Sequence, residues 1–447
     1  LSPRYFSADA ASAESFPPHR VQYLLAALRE LAASIEALGS RLFIVAGPAE
    51  RTLPDLASQL KVDEVIALAS GEPAARKRDA RVAERLRVPL LLRPGETLAP
   101  PGTLRTRGGG LFQVFTPFAR AFRTEVHVAE PLPAPSQLPP LPELARNVTT
   151  RAIPTLAELG VRENPSLLVP GERAARERLE VFLKRRAARY DEDRDRLDLD
   201  GTSRLSADLR FGTLSVRTAY HVATQRLERT APDACSRFQD ELLWRELAYH
   251  WLAERPQLLR EPFRREFAGF PWSESAIAWR AWANGQTGYP IVDAAARELL
   301  TTGFVHNRAR MISASFLCKH LLVHYARGER HYAKWLVDGD PASNNLGWQW
   351  SAGTGCDAQP YFRVFNPVTQ GQRFDPDGNY VRRYVPELRE LPTKHIHAPW
   401  EASDSELRAA GVALGDTYPH PIVDHADART RYLLIAQTHL DQRRRTS

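Results

Sequence analysis

Between residues 338 and 350 the chain reads DGDPASNNLGWQW: two aspartates flanking a glycine, two adjacent asparagines and two tryptophans spaced i, i+2. Carboxylates and carboxamides gathered this closely can hydrogen-bond the polar edge of a heteroaromatic ring, and Trp348 and Trp350 can stack on one. The same side chains also suit a loop in which Asn and Asp satisfy their own backbone while both tryptophans enter the core. Gly339 and Pro341 break any regular period, so the stretch is expected to be a loop.

Two helical stretches and one turn carry further candidates. In SRFQDELLWRELAYHWLAE, Glu241 and Trp244 stand three apart and share a helix face, with Arg245 four beyond the glutamate. A surface Glu241–Arg245 pair beside a core tryptophan is the plainer reading of that spacing. In GFVHNRARMISASFLCKHLL, Asn307, Arg310 and Met311 share a face with Arg308 beside them, and Met311 is the chain's one methionine. Upstream, DGTSRLSADLRFGTLSVR offers hydroxyls and backbone amides leading into a helix, which suits either a phosphate or an ordinary helix cap.

These groups need a scaffold. At 447 residues and 43% hydrophobic content the chain is long enough for two or three cored domains. No apolar run reaches the length of a membrane span and no secretory leader is present, so no membrane association is expected and a cytoplasmic location is. Three scattered cysteines, Cys235, Cys318 and Cys356, give neither a disulfide framework nor a metal pattern, and no metal is expected. A net charge of +7 favours a polyanionic partner such as DNA, although a solvated basic surface explains it equally well.

The first part of the chain alternates helix and strand. RVQYLLAALRELAASIEALGS sets Val21, Leu24, Leu25, Leu28, Leu31, Ala32, Ile35 and Leu38 on one face, and Gly39 stops the helix. LFIVAG (42–47) reads as a buried strand, followed by a helix near 50–60, VIALA at 65–69, a helix near 73–86 and VPLLL at 88–92. The expectation is an α/β domain with a mostly parallel, Rossmann-like sheet over residues 1–130. Because the chain opens on LSPRYF, the first elements of such a domain are expected to lie outside it. PLPAPSQLPPLPEL begins a proline-dense extended linker assigned to 131–171, and helical periodicity dominates from 172 to 447, where a larger all-helical domain is expected.

Five ordered blocks, TSRLS (202–206), ELLWRE (241–246), TGYPIVDAAARELLTTGFVHNRARM (287–311), DGDPASNNLGWQW (338–350) and PYFRVFNPVTQG (360–371), resemble the photolyase and cryptochrome flavoproteins, above all the class I cyclobutane pyrimidine dimer photolyases. That resemblance implies FAD in the helical domain, an antenna chromophore (FMN, deazaflavin or folate) in the α/β domain, and a monomer acting on UV-damaged DNA. It assigns Tyr190, Thr202, Ser203, Leu205, Ser206 and Phe238 to the flavin, pairs Arg310 with Asp338 beside its ring, sets Asp340 at its polar edge and places Asn344 opposite N5. It implies a reaction in which a pyrimidine dimer is flipped from the duplex and split by an electron from excited reduced flavin. Glu241 would stabilise the dimer radical anion, Trp244 and Trp350 would stack on the dimer, and Asn307, Arg308 and Met311 would complete the pocket. Arg308 and Arg363 would contact DNA.

Three departures accompany the resemblance. The family's electron chain is usually three tryptophans, whereas here Trp348 is proximal, Trp272 distal and the middle position is Tyr325, so that Trp335 or Trp279 would have to substitute. Gly110 stands near the position of the acidic residue of folate-binding relatives, which argues against a folate antenna and leaves flavin, deazaflavin or no antenna. Six-four photolyases carry histidines where this chain has Asn307 and Met311. The alternative function is a cryptochrome, a blue-light receptor without repair, against which Asn344 opposite N5 argues.

Overall fold

The computed structural model describes residues 14–357 and 359–446; the opening LSPRYF lies outside them. They form two compact units, each built from three chain segments. The first comprises Leu1–Ala188, Ser203–Pro256 and Val337–Ala342; the second comprises Arg189–Thr202, Gln257–Leu336 and Ser343–Ser447.

In the first unit, Pro18 opens helix α1 (Pro18–Ala37), where its fixed φ and missing N–H cost nothing, and Gly39 follows the helix at φ 86°. The buried side chains of α1 are His19, Val21, Tyr23, Leu25 and Ala27, whereas Leu31 is 43% exposed. The expected stripe therefore holds only in part: the first half of α1 is covered more widely than one face, with Tyr23 donating to Asp208 at 2.7 Å, and the second half lies open. Helix α2 (Ala49–Leu60), strand β1 (Val65–Leu68), helix α3 (Pro73–Arg85), strand β2 (Leu90–Arg93) and helix α4 (Phe115–Glu125) follow. β1 and β2 pair in parallel, Val65 opposite Leu90 through Leu68 opposite Arg93, which bears out the α/β expectation. LFIVAG does not form the predicted strand. Its backbone bonds to chain that comes much later, Arg151 N donating to Ile44 O at 2.8 Å, and Arg41 covers the Phe43 ring at 4.6 Å.

Helices α5 (Glu172–Arg185), α6 (Ser206–Phe211), α7 (Val216–Leu227) and α8 (Pro232–Glu254) complete the larger part of this unit. Asp208 on α6 is fully buried and holds three elements together: it accepts from Tyr23 of α1 and, through both oxygens, from Arg178 of α5 at 2.8 and 3.2 Å. Glu246 of α8 is likewise fully buried and accepts from the backbone N–H groups of Leu98 (2.9 Å) and Ala99 (3.2 Å).

The second unit is helical, as expected. It contains α9 (Ala276–Ala283), α10 (Pro290–Thr302), α11 (Asn307–Ser315), α12 (Tyr325–Trp335), α13 (Pro341–Ala352, from Ser343 on), α14 (Pro367–Phe374) and α15 (His425–Thr446) around a core that includes Trp282, Tyr289, Phe316, Tyr332 and Trp348. The TGYPIVDAAAREL block owes its residues to architecture. Asp293 is buried and collects the Thr287 and Gly288 N–H groups, the Thr287 hydroxyl and the Tyr418 hydroxyl. Gly288 sits at φ 77° with the His420 backbone where a Cβ would go, so only glycine fits. Glu298 accepts from His306 N (3.2 Å) and Tyr380 (2.7 Å). Among the described residues no helix is long and apolar enough to cross a membrane and no His, Cys, Asp and Glu cluster could hold a metal ion.

Burial pushes the Glu246 carboxyl up to about 7 from 4.5, the two backbone N–H groups only partly offsetting it. Between these two values the folded chain keeps a proton that the unfolded chain has lost, so this group makes stability fall as pH rises through that window. Glu246→Gln should flatten that slope by up to about 3 kcal/mol between pH 5 and pH 8. Denaturant unfolding of both proteins at the two pH values checks this; parallel curves would remove the group from the titration.

Candidate active site

In the first unit α8 carries Glu241 and Trp244, both half-buried, on adjacent turns. The Trp244 indole lies flat against Phe115 of α4, ring centroids 4.0 Å apart and planes 6° from parallel. Two turns along α4, Arg123 pairs with Asp240 of α8 at 2.6 Å, so the two helices are also pinned one turn before Trp244. Arg245 donates to Glu96 O at 2.7 Å and its guanidinium lies 4.5 Å over the Tyr249 ring. The Tyr249 hydroxyl donates to the Asp340 carboxylate and stands 3.3 Å from Glu96 Oε1. Arg210 of α6 pairs with Glu72 and reaches within 3.8 Å of Glu96. Burial, reinforced by Asp340, raises the Tyr249 phenol well above its ordinary value, so it stays a proton donor to that carboxylate. Asp338, Gly339 and Asp340 are all buried, and Arg20 of α1 fixes the turn by donating to Gly339 O at 2.7 Å.

The TSRLS turn enters α6 through Arg204, which adopts the left-handed φ of 54°, an unfavourable conformation for a residue with a Cβ. Ser203 is half-buried, Leu205 buried and Ser206 exposed at the first turn of α6. Phe238 is buried in α8 with its ring 5.5 Å from Phe182.

In the second unit the stretch expected to be a loop is helical. Pro341 occupies the first position of α13, where proline is well tolerated, and the i, i+4 spacing then sorts the polar residues. Asn345 and Gln349 turn inward: Asn345 donates to Leu258 O (2.9 Å) and to Glu329, and Gln349 donates to Leu258 O (3.0 Å). Asn344 donates its amide to Glu329 O at 2.9 Å, so its carbonyl oxygen is the atom offered to any external donor. Trp348 is buried, edge-on to Tyr332 (5.0 Å) and Trp282 (5.8 Å), and a Cβ at Gly328 of α12 would run into its ring. Trp350 is half-buried.

The His306 ring caps α11 by accepting from Arg308 N at 3.2 Å. Asn307 is exposed, with its amide 3.8 Å from Met311 Sδ, which brings these two together as the spacing implied. Arg308 is engaged inside its own unit, paired with Asp195 at 2.7 Å and lying 4.4 Å over Phe374. Arg310 donates to Val305 O at 2.7 Å. Tyr190 is buried and Thr202 half-buried. Arg363 is exposed in a turn whose backbone is held from beneath, Lys319 donating to Arg363 O at 2.9 Å; burial brings that lysine down to about 7. Trp272 meets Tyr325 edge-on at 6.5 Å, and Tyr325 is buried with its phenol raised by desolvation.

Residues 238–437 match the FAD binding domain of DNA photolyase and residues 1–137 match the DNA photolyase domain. The deoxyribodipyrimidine photo-lyase of Agrobacterium fabrum is 42% identical over 91% of this chain and 86% of its own length. The chain belongs to the photolyase and cryptochrome family. Among solved structures, the class III photolyase of Agrobacterium tumefaciens superposes with a TM-score of 0.89 at 38% identity, covering 96% of this chain and 90% of that one. The cryptochrome of Synechocystis does so with 0.88 at 30% identity, covering 97% and 92%.

Within this photolyase scaffold three residues were missed by sequence reasoning. Phe115, stacked on Trp244, and Tyr249, bonded to Asp340, gave no signal beyond belonging to an aromatic-rich stretch. Trp282 sits between Trp348 and Trp279, 5.8 and 5.5 Å from each; the AWRAWANG run holds both indoles, and its helical spacing was the signal available.

Proposed function

We propose that this chain is a light-driven deoxyribodipyrimidine photo-lyase that splits cyclobutane pyrimidine dimers in UV-damaged DNA. The observation that carries the reading is the match of residues 238–437 to the photolyase FAD binding domain within a chain 42% identical to a curated photo-lyase. Helix α8, with Glu241 and Trp244 on one face, supplies dimer-handling groups in keeping with it. The cryptochrome alternative is not favoured. Motifs assign the chain to class I; class III is a second reading, favoured by its 0.89 TM-score to a class III enzyme.

The donor chemistry fits FAD. Thr202, Ser203 and Ser206 carry hydroxyls suited to phosphate and ribityl groups, and Tyr190, Leu205 and Phe238 would complete the flavin contacts. Asp338, Arg310 and Asp340 would serve the polar edge of the flavin ring, and Asn344, with an amide N–H donated to Glu329 O, would offer its oxygen to a protonated ring nitrogen. When bound and reduced, FAD supplies the electron on illumination. Glu241 hydrogen-bonds the thymine edge and stabilises the charge that develops there, more strongly in a water-poor site than in solution. Trp244 and Trp350 are the stacking candidates for the flipped bases, Asn307 and Met311 are further candidates for the dimer, and Arg308 is held by Asp195. Arg363, exposed on its braced turn, takes a phosphate of the damaged strand. Flavin, deazaflavin or no antenna are the readings for the α/β domain of residues 1–130, ahead of the 131–171 linker and the 172–447 catalytic domain. A cytoplasmic monomer completes the reading.

Glu241→Ala should lower repair per absorbed photon about tenfold or more while flavin content and damaged-DNA affinity stay close to wild type, because the carboxyl acts on the charged state. Repair yield on a dimer-containing oligonucleotide measures this; an unchanged yield would remove Glu241 from its role.

The oxidation route follows the rings. A tyrosine yields an electron readily only when its phenol proton can leave, and burial holds that proton on Tyr325. Trp348 instead meets Trp282, which meets the half-buried Trp279. Trp282→Phe should slow photoreduction of oxidised FAD at least tenfold, and Tyr325→Phe by less than twofold, with repair by chemically pre-reduced protein kept in both. Transient absorption decides; the opposite ranking would restore Tyr325 as the relay.

A further inference from the structure

We propose that Phe115 is a positioning residue for damage recognition: it backs one face of Trp244 so that the indole is held in the plane needed to stack on a flipped pyrimidine dimer. This rests on the reading of Trp244 as a stacking platform.

Three observations carry it. The Phe115 and Trp244 rings are within 6° of parallel with centroids 4.0 Å apart, which is full face-to-face cover rather than the edge or tilted contact seen between Phe118 and its neighbours Phe112, Phe122 and His250. Phe115 is itself buried at the first position of α4, so its ring has little freedom to follow a moving partner, while Trp244 is only half-buried. Finally, α4 and the chain leading into it are both held against α8. Arg123 pairs with Asp240 at 2.6 Å, and Trp251 donates its indole N–H to Phe112 O at 2.9 Å, one anchor on each side of Trp244 along α8. The backing ring therefore keeps its place when Trp244 is approached from its other face.

A base is read by stacking only if the platform is oriented before it arrives. An indole free to rotate must be immobilised on binding, and a ring already stacked on one face loses less freedom when the base arrives. Phe115 removes that cost in advance. The benefit goes to a flipped dimer, which needs the platform, and not to undamaged duplex, which binds through its phosphates. Phe115 thus acts on discrimination rather than on overall affinity, and assigns to a helix of the chain's N-terminal part a role in selecting the lesion.

The test is a binding assay on wild type, Phe115→Leu, Phe115→Tyr and Trp244→Ala, with dimer-containing and undamaged duplexes of one sequence, alongside flavin content and thermal midpoint. Phe115→Leu should lower the ratio of dimer to undamaged affinity by about threefold to tenfold, leaving undamaged binding unchanged. Phe115→Tyr, which keeps the ring, should restore the ratio. In a Trp244→Ala background Phe115→Leu should cost nothing further. Arg123→Gln, a surface change that loosens α4 on α8, should lower the ratio less and in the same direction. The proposal is overturned by an unchanged ratio in Phe115→Leu, or in Arg123→Gln where Phe115→Leu does not accumulate folded. It is overturned equally by losses that add in the double variant. An unchanged ratio in Trp244→Ala would instead refute the platform reading itself, and this inference with it.

Discussion

A buried carboxyl on α8 governs the first unit. Glu246 has no solvent, and its two oxygens are met by the backbone N–H groups of Leu98 and Ala99, groups that would otherwise be stranded. That contact fixes α8 along its length against the segment following β2. Every candidate on the helix inherits its position from it: Glu241 and Trp244 a turn or so before, Tyr249 a turn after. Neighbouring groups extend the same constraint, Arg245 reaching the Glu96 carbonyl and Tyr249 the Asp340 carboxylate. The side chains proposed to touch the lesion and the aspartate proposed to face the flavin edge thus hang from one polar framework.

In the second unit the ordering element is the helical periodicity of α13. Once Pro341 starts a helix, adjacent asparagines point in different directions. Asn345 and Gln349 become internal braces on Leu258 and Glu329, while Asn344 and Trp348, one turn apart, are the pair proposed for flavin chemistry. Two neighbouring residues of one type therefore have unlike tasks. Glycine at 328 is the counterpart of this arrangement, since any Cβ there would displace Trp348.

Much of this was legible in the chain. Helical faces such as Glu241/Trp244 and Asn307/Met311 follow from spacing alone, and the motif blocks carry the family likeness in their residues. What stayed hidden depends on partners distant in sequence. LFIVAG has the composition of a strand but is not one among the described residues, and its Ile44 carbonyl accepts from Arg151, more than a hundred residues later. DGDPASNNLGWQW looked irregular because Gly and Pro are weighed locally, although a proline at the first helical position is favourable. Phe115 and Trp282 are ordinary aromatics by composition, and only packing shows one lying flat on Trp244 and the other bridging two indoles. The buried carboxylates Asp293 and Glu298 illustrate the reverse: they belong to a family block, yet hydrogen bonds to backbone and tyrosines make them structural.

The account stands or falls on whether light absorbed by this chain reverses a pyrimidine dimer. The direct measurement is a flash experiment on pre-reduced, flavin-loaded protein bound to an oligonucleotide carrying one cyclobutane dimer, with a dark control, following recovery of pyrimidine absorbance. The expected result is recovery in proportion to photons absorbed and none in the dark. Bound flavin and bound dimer without recovery under illumination would contradict the account and favour a light receptor of the same fold.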